Sequence, residues 1–369
     1  MIYLDNGATS LRKPPAVAAA VRSALHRCAN PGRGGYTAAM EAAKTVYRCR
    51  ERAGEMFACP PDRVVFTSNC THGLNIAIRS LVKPGDRVLI TGFEHNAVTR
   101  TLHGLGAETV VAGRKLFDWA EMLEQWEWGL RSGVRAAVFT HVSNVFGYIL
   151  PVYAMARLCR QYGVPFVVDA AQSAGTLAVS MARLGADFIA MPGHKGLLGP
   201  QGTGLLLCKA SPQPLLFGGT GSESLEQTMP EYLPDRSEAG TLNVPGIAGL
   251  SAGMAWIQKE GQDRIQRREH TQVRRAVQGL EKLGVRCFSG PHQAGTVSFV
   301  PEMDCEGLAE KLGKVGIAVR AGLHCAPLAH ESAGTLETGT VRISYGVDAS
   351  PEQTEAFLDA MTKIINGRK

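Results

Sequence analysis

The sequence predicts an α/β fold in which a large, mostly parallel β-sheet lies between helices and a smaller α+β part follows it. Between residues 64 and 208, short apolar runs alternate with segments that have helical apolar spacing, which is the pattern of successive strand–helix units. The runs are nearly all apolar, as expected for strands buried on both faces of a parallel sheet. The alternation stops at residues 212–245, where Gly, Ser, Glu and Pro predominate and where we expect a functional or interface loop.

Each element has a local reason. The helix at 15–28 begins at Pro14-Pro15 and ends before Asn30-Pro31-Gly32, and the helix at 37–57 is rich in alanine with apolar residues at helical spacing. Seven apolar runs predict the strands of the large sheet, at 64–67, 87–90, 108–111, 136–140, 164–168, 188–190 and 204–208. Helices are predicted between them, after Thr71 and at 96–105, 118–128 and 152–162.

A helix at 244–259 leads into the second part of the chain. The pattern there predicts a helix ending near 283, strands at 296–300, 317–320 and 340–345, and helices at 305–315 and 351–365. The chain opens with a short strand in Met1-Ile2-Tyr3-Leu4, which we expect to join this part. We therefore predict a large domain over residues 14–247 and a small α+β domain formed by residues 1–13 and 248–369.

The composition is that of an ordinary globular enzyme. The 369 residues are 45% hydrophobic and 20% charged, with a formal net charge of +6. The densest basic group, at 264–275, has helical spacing with interleaved Glu and Gln, which favours a solvated helix face over nucleic-acid binding. No apolar run approaches the roughly 18 residues of a membrane span, and no basic-then-apolar segment opens the chain. We therefore expect a cytoplasmic protein that binds neither nucleic acid nor membranes.

The nine cysteines are irregularly spaced and include no Cys-x-x-Cys pair, which argues against a structural zinc site. In a reducing compartment most of them should be buried, small apolar residues. Cys325 differs because it lies in a glycine-flanked loop, where we expect it to be exposed. His324 and Arg320 nearby would favour its thiolate, which is the nucleophilic form. An inert buried thiol is the alternative, and we weigh a reactive thiol above it.

One lysine and one aspartate carry the main functional prediction. Lys195 follows an apolar run in Pro192-Gly193-His194-Lys195, and Asp169 ends another apolar run. A lysine and a carboxylate at neighbouring strand ends are what pyridoxal phosphate (PLP) requires. The amine forms a Schiff base, and the carboxylate keeps the pyridine nitrogen protonated. Taken singly, the two would more often be a surface lysine and a strand-capping aspartate, so other residues must decide.

Further polar residues follow strands at the edge of the sheet where ligands are expected. Thr71 stands at a helix start whose free amides could bind an anion, although a plain capped helix would look the same. His95 could stack on a flat cofactor and shuttle protons, although a lone histidine is more often structural. Asn144 and Gln172 could each donate a hydrogen bond to a phenolic oxygen. Arg342, near the end of a strand, could clamp a carboxylate.

Taken together, four segments resemble the cysteine desulfurases, the NifS-like branch of the class V aminotransferase family of fold-type I PLP enzymes. They are Asp169-Ala170-Ala171-Gln172, Gly193-His194-Lys195, Gly240-Thr241-Leu242-Asn243 and Arg320-Ala321-Gly322-Leu323-His324-Cys325. The likeness runs from Tyr3 to Ser344, nearly the whole chain, and the short loop around Cys325 looks more like the SufS-type than the IscS-type group. Each segment alone is weakly diagnostic, whereas the combination is highly specific.

The resemblance implies a role for each residue around the cofactor ring. Lys195 would be the Schiff-base lysine and Asp169 the partner of the pyridine nitrogen. His95 would stack on the ring and take part in catalysis, and Gln172 would bond the ring oxygen O3′.

The resemblance also implies how the phosphate is held. Thr71 and His194 would bind it, and Thr241 would reach the phosphate in the other subunit, which implies a homodimer. Two positions depart from the family pattern. Cys70 stands among the cofactor-binding positions where the family often has threonine, and Pro192 stands where it often has a phosphate-binding serine. We therefore expect the phosphate to depend more on the remaining side chains and on backbone amides.

At the substrate, the resemblance places Asn144 and Arg342 on the carboxylate, with Arg320 nearby, and makes Cys325 the sulfur acceptor. The chain continues after Cys325 into an unusual segment at 326–335, Ala-Pro-Leu-Ala-His-Glu-Ser-Ala-Gly-Thr. The implied partners are L-cysteine, a sulfur-acceptor protein and a second copy of the chain, and the implied cofactor is PLP with no metal.

The predicted function is therefore that of a cysteine desulfurase, which converts L-cysteine to L-alanine and holds the sulfur on Cys325 as a persulfide. A selenocysteine lyase acting on L-selenocysteine, or another C–S lyase, is the alternative within the fold, because selenium leaves more easily and does not strictly need Cys325. A plain aminotransferase would not need Cys325 either. A non-catalytic scaffold that keeps the PLP fold would not need Lys195, Asp169 and Arg342.

Overall fold

The computed structural model describes residues 1–32 and 34–367, which form three β-sheets flanked by helices. The strands are β1 Ile2–Tyr3, β2 Val64–Thr67, β3 Arg87–Thr91, β4 Glu108–Ala112, β5 Ala136–Thr140, β6 Phe166–Asp169, β7 Phe188–Pro192, β8 Gly204–Cys208, β9 Arg286–Phe288, β10 Thr296–Val300, β11 Ile317–Ala318, β12 Arg320–Gly322 and β13 Thr340–Ser344. The helices are α1 Pro15–Arg27, α2 Thr37–Phe57, α3 Cys70–Leu81, α4 Asn96–Gly104, α5 Trp119–Arg131, α6 Val152–Gln161, α7 Met181–Leu184, α8 Val244–Glu260, α9 Gln262–Lys282, α10 Cys305–Lys314, α11 Pro327–Ala333 and α12 Pro351–Asn366.

The large sheet has seven strands in the order β2-β8-β7-β6-β5-β3-β4. All its pairings are parallel except those of β8, which runs antiparallel to β2 and β7. The predicted fold class, a mostly parallel seven-stranded sheet between helices, is confirmed.

Both faces of the large sheet are buried, which explains why its strands contain so few polar residues. Successive side chains of a strand point to opposite faces. Leu89 and Phe139 pack on one face with Trp126 of α5, whereas Val88 and Val138 pack on the other with residues of α3 and α4. All of these side chains are at most 2% exposed.

The second part of the chain is built on a four-stranded sheet in the order β12-β13-β10-β9. Its core joins α9, α10 and α12, and Leu4 of the N-terminal segment is fully buried within it. Strand β1 pairs in parallel with β11, as the sequence predicts for the opening of the chain. The limits of the two predicted domains, 14–247 and 1–13 with 248–369, stay a prediction.

The element predictions fail mainly where elements are short. The predicted strand at 317–320 is two strands in different sheets, because β11 pairs with β1 whereas β12 pairs with β13. Strand β9 and helices α7 and α11 were not predicted, since three to seven residues are too few to show a period.

The topology brings four loops to one edge of the large sheet. The register places Thr140 of β5 opposite Asp169 of β6, and Asp169 opposite Ala190 of β7. The loops after β3, β5, β6 and β7 therefore leave the sheet side by side, where α/β proteins bind their ligands. Within residues 1–32 and 34–367, no helix combines the length and apolarity needed to cross a bilayer.

Candidate active site

A cavity of about 240 Å³ opens at this edge of the sheet, and we name it the front cavity. It brings together most of the side chains that the sequence singles out. Its lining includes Cys70, Thr71, His95, Asn144, Asp169, Gln172, Pro192, His194 and Lys195.

Asp169 ends β6 and is only 2% exposed. Its Oδ1 accepts a hydrogen bond from the Ala171 amide at 2.8 Å and one from the Cys70 thiol at 3.5 Å. Burial, and then the Asp169 carboxylate, hold the pKa of Cys70 well above its usual value, so Cys70 remains a thiol donor. The carboxylate is therefore fixed in place by one amide and one thiol.

Lys195 follows β7 in a loop that packs directly against the turn after Asp169. A Cβ on Gly196 would lie 2.3 Å from the Ala174 carbonyl oxygen, and one on Gly175, where φ is +96°, would lie 2.2 Å from the Gly196 carbonyl oxygen. Only glycine permits this approach. The Lys195 amine is surrounded by protein, and this burial lowers its pKa even though Asp169 acts to raise it. An uncharged amine is the form that can act as a nucleophile or accept a proton.

The start of α3 provides an anion site. Asn69 caps the helix by accepting the His72 amide at 2.9 Å, whereas the amides of Cys70 and Thr71 have no hydrogen-bond partner among the described residues. Thr71 is exposed, so its hydroxyl is available as well. Free amides at a helix start bind anions. Across the cavity, Nδ1 of His194 lies 3.0 Å from the Thr9 hydroxyl.

His95 forms the N-cap of α4 and faces the same cavity. Burial, more than any other cause, lowers its pKa, so the ring is neutral near pH 7. Its Nδ1 accepts the Ala97 amide at 3.0 Å, which puts the ring proton on Nε2. His95 can therefore donate a hydrogen bond from Nε2 into the front cavity.

Arg342 and Asn144 lie in contact beside the front cavity. The Arg342 guanidinium donates to the Asn144 carbonyl oxygen at 2.9 Å and to Asp5 at 2.8 Å, and its Nε is buried with no partner among the described residues. The Asn144 side chain donates to the His324 carbonyl oxygen at 2.7 Å. Arg320, on the same sheet, binds Asp5 in bidentate fashion and does not line the front cavity.

Cys325 sits beside this group on a tightly held loop. Among the nine cysteines, all within the described residues, it alone is exposed. The loop is left-handed at two successive residues, His324 with φ +49° and Cys325 with φ +57°. The carbonyl oxygen of Cys325 accepts the Asn96 amide at 2.8 Å, which ties the loop to the residue that follows His95.

The expectation that His324 supplies positive charge to Cys325 is wrong. His324 is 8% exposed, and burial lowers its pKa to about 2, so it is neutral. Its Nε2 lies 3.1 Å from the Thr340 hydroxyl. Arg320 does interact electrostatically with Cys325. The pKa of Arg320 is raised chiefly by Asp5 and also by Cys325.

Thr241 lies apart from the other candidates. It is exposed and lines a separate cavity of about 630 Å³, which shares no lining residue with the front cavity among those described. The buried ion pair of Arg50 with Glu238 borders the Thr241 cavity. Within one subunit, Thr241 therefore does not contact the site of Lys195.

Sequence reasoning missed residues that act through long-range contacts. Asp5 bonds Arg342 and Arg320, Asn96 holds the Cys325 loop, and Thr9 bonds His194. None belongs to a motif that names its partner. The only signal in the sequence was Asp5, a charged residue directly after the N-terminal strand, which would need a partner if it were buried.

Comparison with known proteins decides the family. The family model of the class-V aminotransferases matches residues 2–357. The chain belongs to this family. Enzymes of the class-V aminotransferase family depend on PLP. The family that the sequence resembles is therefore confirmed.

Several relatives in the class-V aminotransferase family bear the name probable cysteine desulfurase. The one from Pyrococcus abyssi is 33% identical over 99% of this chain and 94% of its own length, and the one from Methanothermobacter thermautotrophicus is 31% identical over 98% and 94%. Among solved structures, the apo cysteine desulfurase from Thermococcus onnurineus NA1 is 34% identical, with a TM-score of 0.90 and coverage of 99% and 95%.

The residues of the front cavity fit the cofactor of the family. A buried amine of lowered pKa, a carboxylate fixed at the cavity wall and two unpartnered helix amides face one space. The amine can bond the carbonyl carbon of PLP, the carboxylate can bind its protonated pyridine nitrogen, and the amides can bind its phosphate. The individual roles of these residues stay predictions.

Proposed function

We propose that this protein is a PLP-dependent cysteine desulfurase that converts L-cysteine to L-alanine and takes up the sulfur on Cys325. Relatives and a solved structure of that name match nearly the whole chain. The observation that carries the proposal is the position of the exposed Cys325, which is tied to Asn96 immediately after His95. This contact supports a role for the one exposed thiol of the described chain at the front cavity, which His95 lines.

PLP would be held by Lys195, Asp169 and His95 at its ring and by Thr71 and His194 at its phosphate. When bound, PLP supplies an electron-withdrawing ring that stabilises negative charge next to the Cα of the substrate. The Asp169 carboxylate, which is fixed at the wall of the cavity, would favour a proton on the ring nitrogen. Because Pro192 has no amide proton and no hydroxyl, the free amides at the start of α3 and the Thr71 hydroxyl would make more of the contacts to the phosphate.

Arg342 and Asn144 orient the substrate. The support for this role is that the Nε of Arg342 is buried without a partner among the described residues, and that Arg342 contacts Asn144, which lines the front cavity. Fixing the carboxylate turns the Cα–H bond toward Lys195. The buried Lys195 amine, whose pKa is lowered by that burial, then accepts the Cα proton.

His95 acts at the sulfur side of the substrate. Its Nε2–H can donate a hydrogen bond to the substrate sulfur as the C–S bond breaks. The Cys325 sulfur attacks the substrate sulfur, so that one S–S bond forms as the substrate C–S bond breaks. One L-cysteine and one protein thiol thus give one L-alanine and one protein persulfide, with no external oxidant.

The persulfide would pass to an acceptor protein, which the exposure of Cys325 permits. We also propose a homodimer in which Thr241 serves the neighbouring site, because Thr241 is exposed and distant from Lys195 of its own subunit. A cytoplasmic location is favoured by nine cysteines that are all free.

Mass spectrometry of the protein after incubation with L-cysteine tests the proposal. We expect one added sulfur atom on the Cys325 peptide and L-alanine in solution. Cys287→Ala, which removes a half-buried cysteine, is the matched control and should behave as wild type. Cys325→Ala should lose the protein-bound sulfur and the activity on L-cysteine. If Cys325→Ala turns over L-cysteine at the wild-type rate, the persulfide route is wrong and a lyase that does not need this thiol takes its place.

A further inference from the structure

A second cavity lies on the other side of Lys195, and we name it the rear cavity. It meets the front cavity at Lys195, Gln172, Val142 and Ala171 and has a volume of about 50 Å³. That volume has room for roughly three to five water molecules, since each needs about 10–15 Å³. Polar side chains line it, including Ser10, Gln172, Thr176 and Glu269.

Glu269 is the unexpected member of this lining. It is 6% exposed on α9, and its carboxyl group has neither a hydrogen-bond partner nor an ion-pair partner among the described residues. Its Oε2 lies against Gly295, where an added Cβ would be 2.5 Å away, and both residues line the rear cavity. Buried carboxyl groups are normally paired, so an unpaired one facing a polar cavity calls for a function.

The charged groups around Glu269 do not neutralise it. Arg268 precedes it on α9 but bonds Glu260 of α8 at 2.7 Å. Asp348, which precedes α12, adds negative charge and pairs with Arg12.

Two further titratable groups border the rear cavity. The hydroxyl group of Tyr345, at the end of β13, lies 2.8 Å from the Thr354 hydroxyl, and Lys195 stands across the cavity. Burial, opposed by Arg268 and assisted by Asp348, raises the pKa of Glu269 to about 8. Glu269 therefore carries a proton near pH 7.

We propose that Glu269 acts through Lys195 as a proton store, exchanging a proton with the Lys195 amine through water in the rear cavity. In one direction the carboxyl proton passes to water as water protonates Lys195, which leaves a carboxylate and an ammonium group. In the other direction the ammonium proton returns by the same route. The exchange consumes no other reactant and leaves the front cavity free for substrate. This inference rests on the proposed function, because Lys195 must move protons for it to matter.

The store has a chemical purpose in the proposed reaction. The proton that leaves the Cys325 thiol must finally reach the carbon that loses sulfur. Lys195 must also be protonated again after it gives up a proton. A carboxyl group that holds its proton at neutral pH can supply Lys195 without opening the front cavity to water.

Glu269→Gln tests the proposal, since it keeps the shape of the side chain and removes the exchangeable acid. Glu281→Gln, at an exposed position of the same helix, is the matched control. In the wild type and the control we expect kcat to fall above about pH 8 as Glu269 loses its proton. In Glu269→Gln we expect kcat at pH 7 to drop about 10-fold, less than for a direct proton donor, and the fall above pH 8 to disappear.

An isotope measurement separates proton storage from a structural role. With L-cysteine deuterated at Cα, wild-type alanine should have lost much of that deuterium to solvent through the store. Glu269→Gln alanine should retain more, because the deuteron on Lys195 returns before it exchanges. Gly295→Ala leaves Glu269 in the chain but displaces its carboxyl group. It should change the pH dependence of kcat and the deuterium retention in the same direction as Glu269→Gln. It therefore serves as a second variant if Glu269→Gln does not fold.

A third measurement needs no cofactor. In the PLP-free protein, the free energy of unfolding should fall less between pH 5 and 8 in Glu269→Gln than in the wild type, because the folded wild type alone holds the extra proton. If Glu269→Gln shows the same pH profile, the same isotope retention and the same pH dependence of unfolding as the wild type, the proton store is wrong. If the wild type makes no alanine from L-cysteine, the proposed function fails, while the unfolding measurement still decides whether Glu269 holds a proton.

Discussion

Asp5 shows how one residue can join distant parts of the chain at the site. It lies just after β1 and binds both Arg342 and Arg320, at 2.8 Å each. The two ion pairs differ in burial, since the Arg342 side chain is 3% exposed and that of Arg320 is 49% exposed. A buried guanidinium that loses its counter-charge is far more costly than an exposed one.

We therefore predict unequal effects for two substitutions. Asp5→Asn should lower the free energy of unfolding by about 3 kcal/mol, because it leaves the Arg342 charge buried and unpaired. Arg320→Gln should lower it by less than about 1 kcal/mol, because that pair is open to solvent. Urea unfolding of the PLP-free proteins measures both. Equal losses would contradict the assignment of the buried charge to Arg342.

A second residue-scale prediction concerns Glu94, which precedes His95 and is fully buried. Burial raises its pKa to about 8 from an ordinary value of 4.5. The folded protein therefore binds more protons than the unfolded chain between these values, so the free energy of unfolding falls as the pH rises through that window. Glu94→Gln should reduce this slope by at most about 1.4 kcal/mol per pH unit. Denaturation at pH 5, 6.5 and 8 measures it, and an unchanged slope would rule out a proton on Glu94.

For single residues, the sequence predicted which side chains lie at the site better than it predicted what those side chains contact. Lys195, Asp169 and His95 follow strands, so the parallel sheet is enough to gather them. Asp5 and Asn96 were missed, because their partners lie hundreds of residues away or are backbone atoms. His324 was wrongly taken as a source of charge, because sequence neighbours of an exposed thiol can themselves be buried.

The Cys325 loop and helix α4 act as a pair of elements. Asn96 is the first residue of α4, and its amide donates to the Cys325 carbonyl oxygen. The first helical position has no intrahelical partner for its amide, so a loop can use that amide without weakening the helix. The start of α4 therefore positions both His95 and Cys325.

Asn96→Pro should break this connection and spare the helix. Proline is well tolerated at the first helical position, and the preceding His95 already has the extended backbone that proline requires, with φ −76° and ψ 155°. Asn96→Ala removes the side chain but keeps the amide and is the matched control. We expect persulfide formation in Asn96→Pro to be roughly 10- to 100-fold slower than in Asn96→Ala. Single-turnover kinetics measure it, and equal rates in the two variants would show that the Asn96 amide does not position the thiol.

Long elements were well predicted from the sequence, and short ones were not. The helical periods of α2 and α9 are long enough to be recognised, and the seven strands of the large sheet are recognised as apolar runs. Helix α11 has only seven residues, beginning at Pro327, and follows the left-handed pair at His324 and Cys325, so no helical period reveals it. The unusual segment after Cys325 is thus a short helix packed behind the loop.

For the whole molecule, the separation of Thr241 from Lys195 has consequences for assembly. Exposed apolar side chains accompany the loop that carries Thr241, with Phe217 77% and Leu225 96% exposed. Apolar residues exposed to this degree favour an interface. In the proposed homodimer, each site needs Lys195 from one subunit and Thr241 from the other.

Mixed dimers test this arrangement. Lys195→Ala removes the amine, and Thr241→Asp places a negative charge where phosphate would bind, so each variant alone should be inactive. Co-expressed, they should form mixed dimers with one intact site, and each mixed dimer should regain about half of the wild-type activity. Sulfide release from L-cysteine with a reductant measures it. No recovery in mixed dimers confirmed by mass would place Thr241 at its own subunit's site.

The central claim is that Lys195 and Cys325 belong to one site, where proton removal by the first leads to sulfur transfer to the second. A single-turnover reaction with one L-cysteine per PLP-loaded site tests this claim most directly, with alanine and Cys325 persulfide counted in the same quenched sample. We predict equal amounts of both in the wild type, and neither product in Lys195→Ala. Alanine without persulfide on Cys325, or persulfide formed in Lys195→Ala, would contradict the claim.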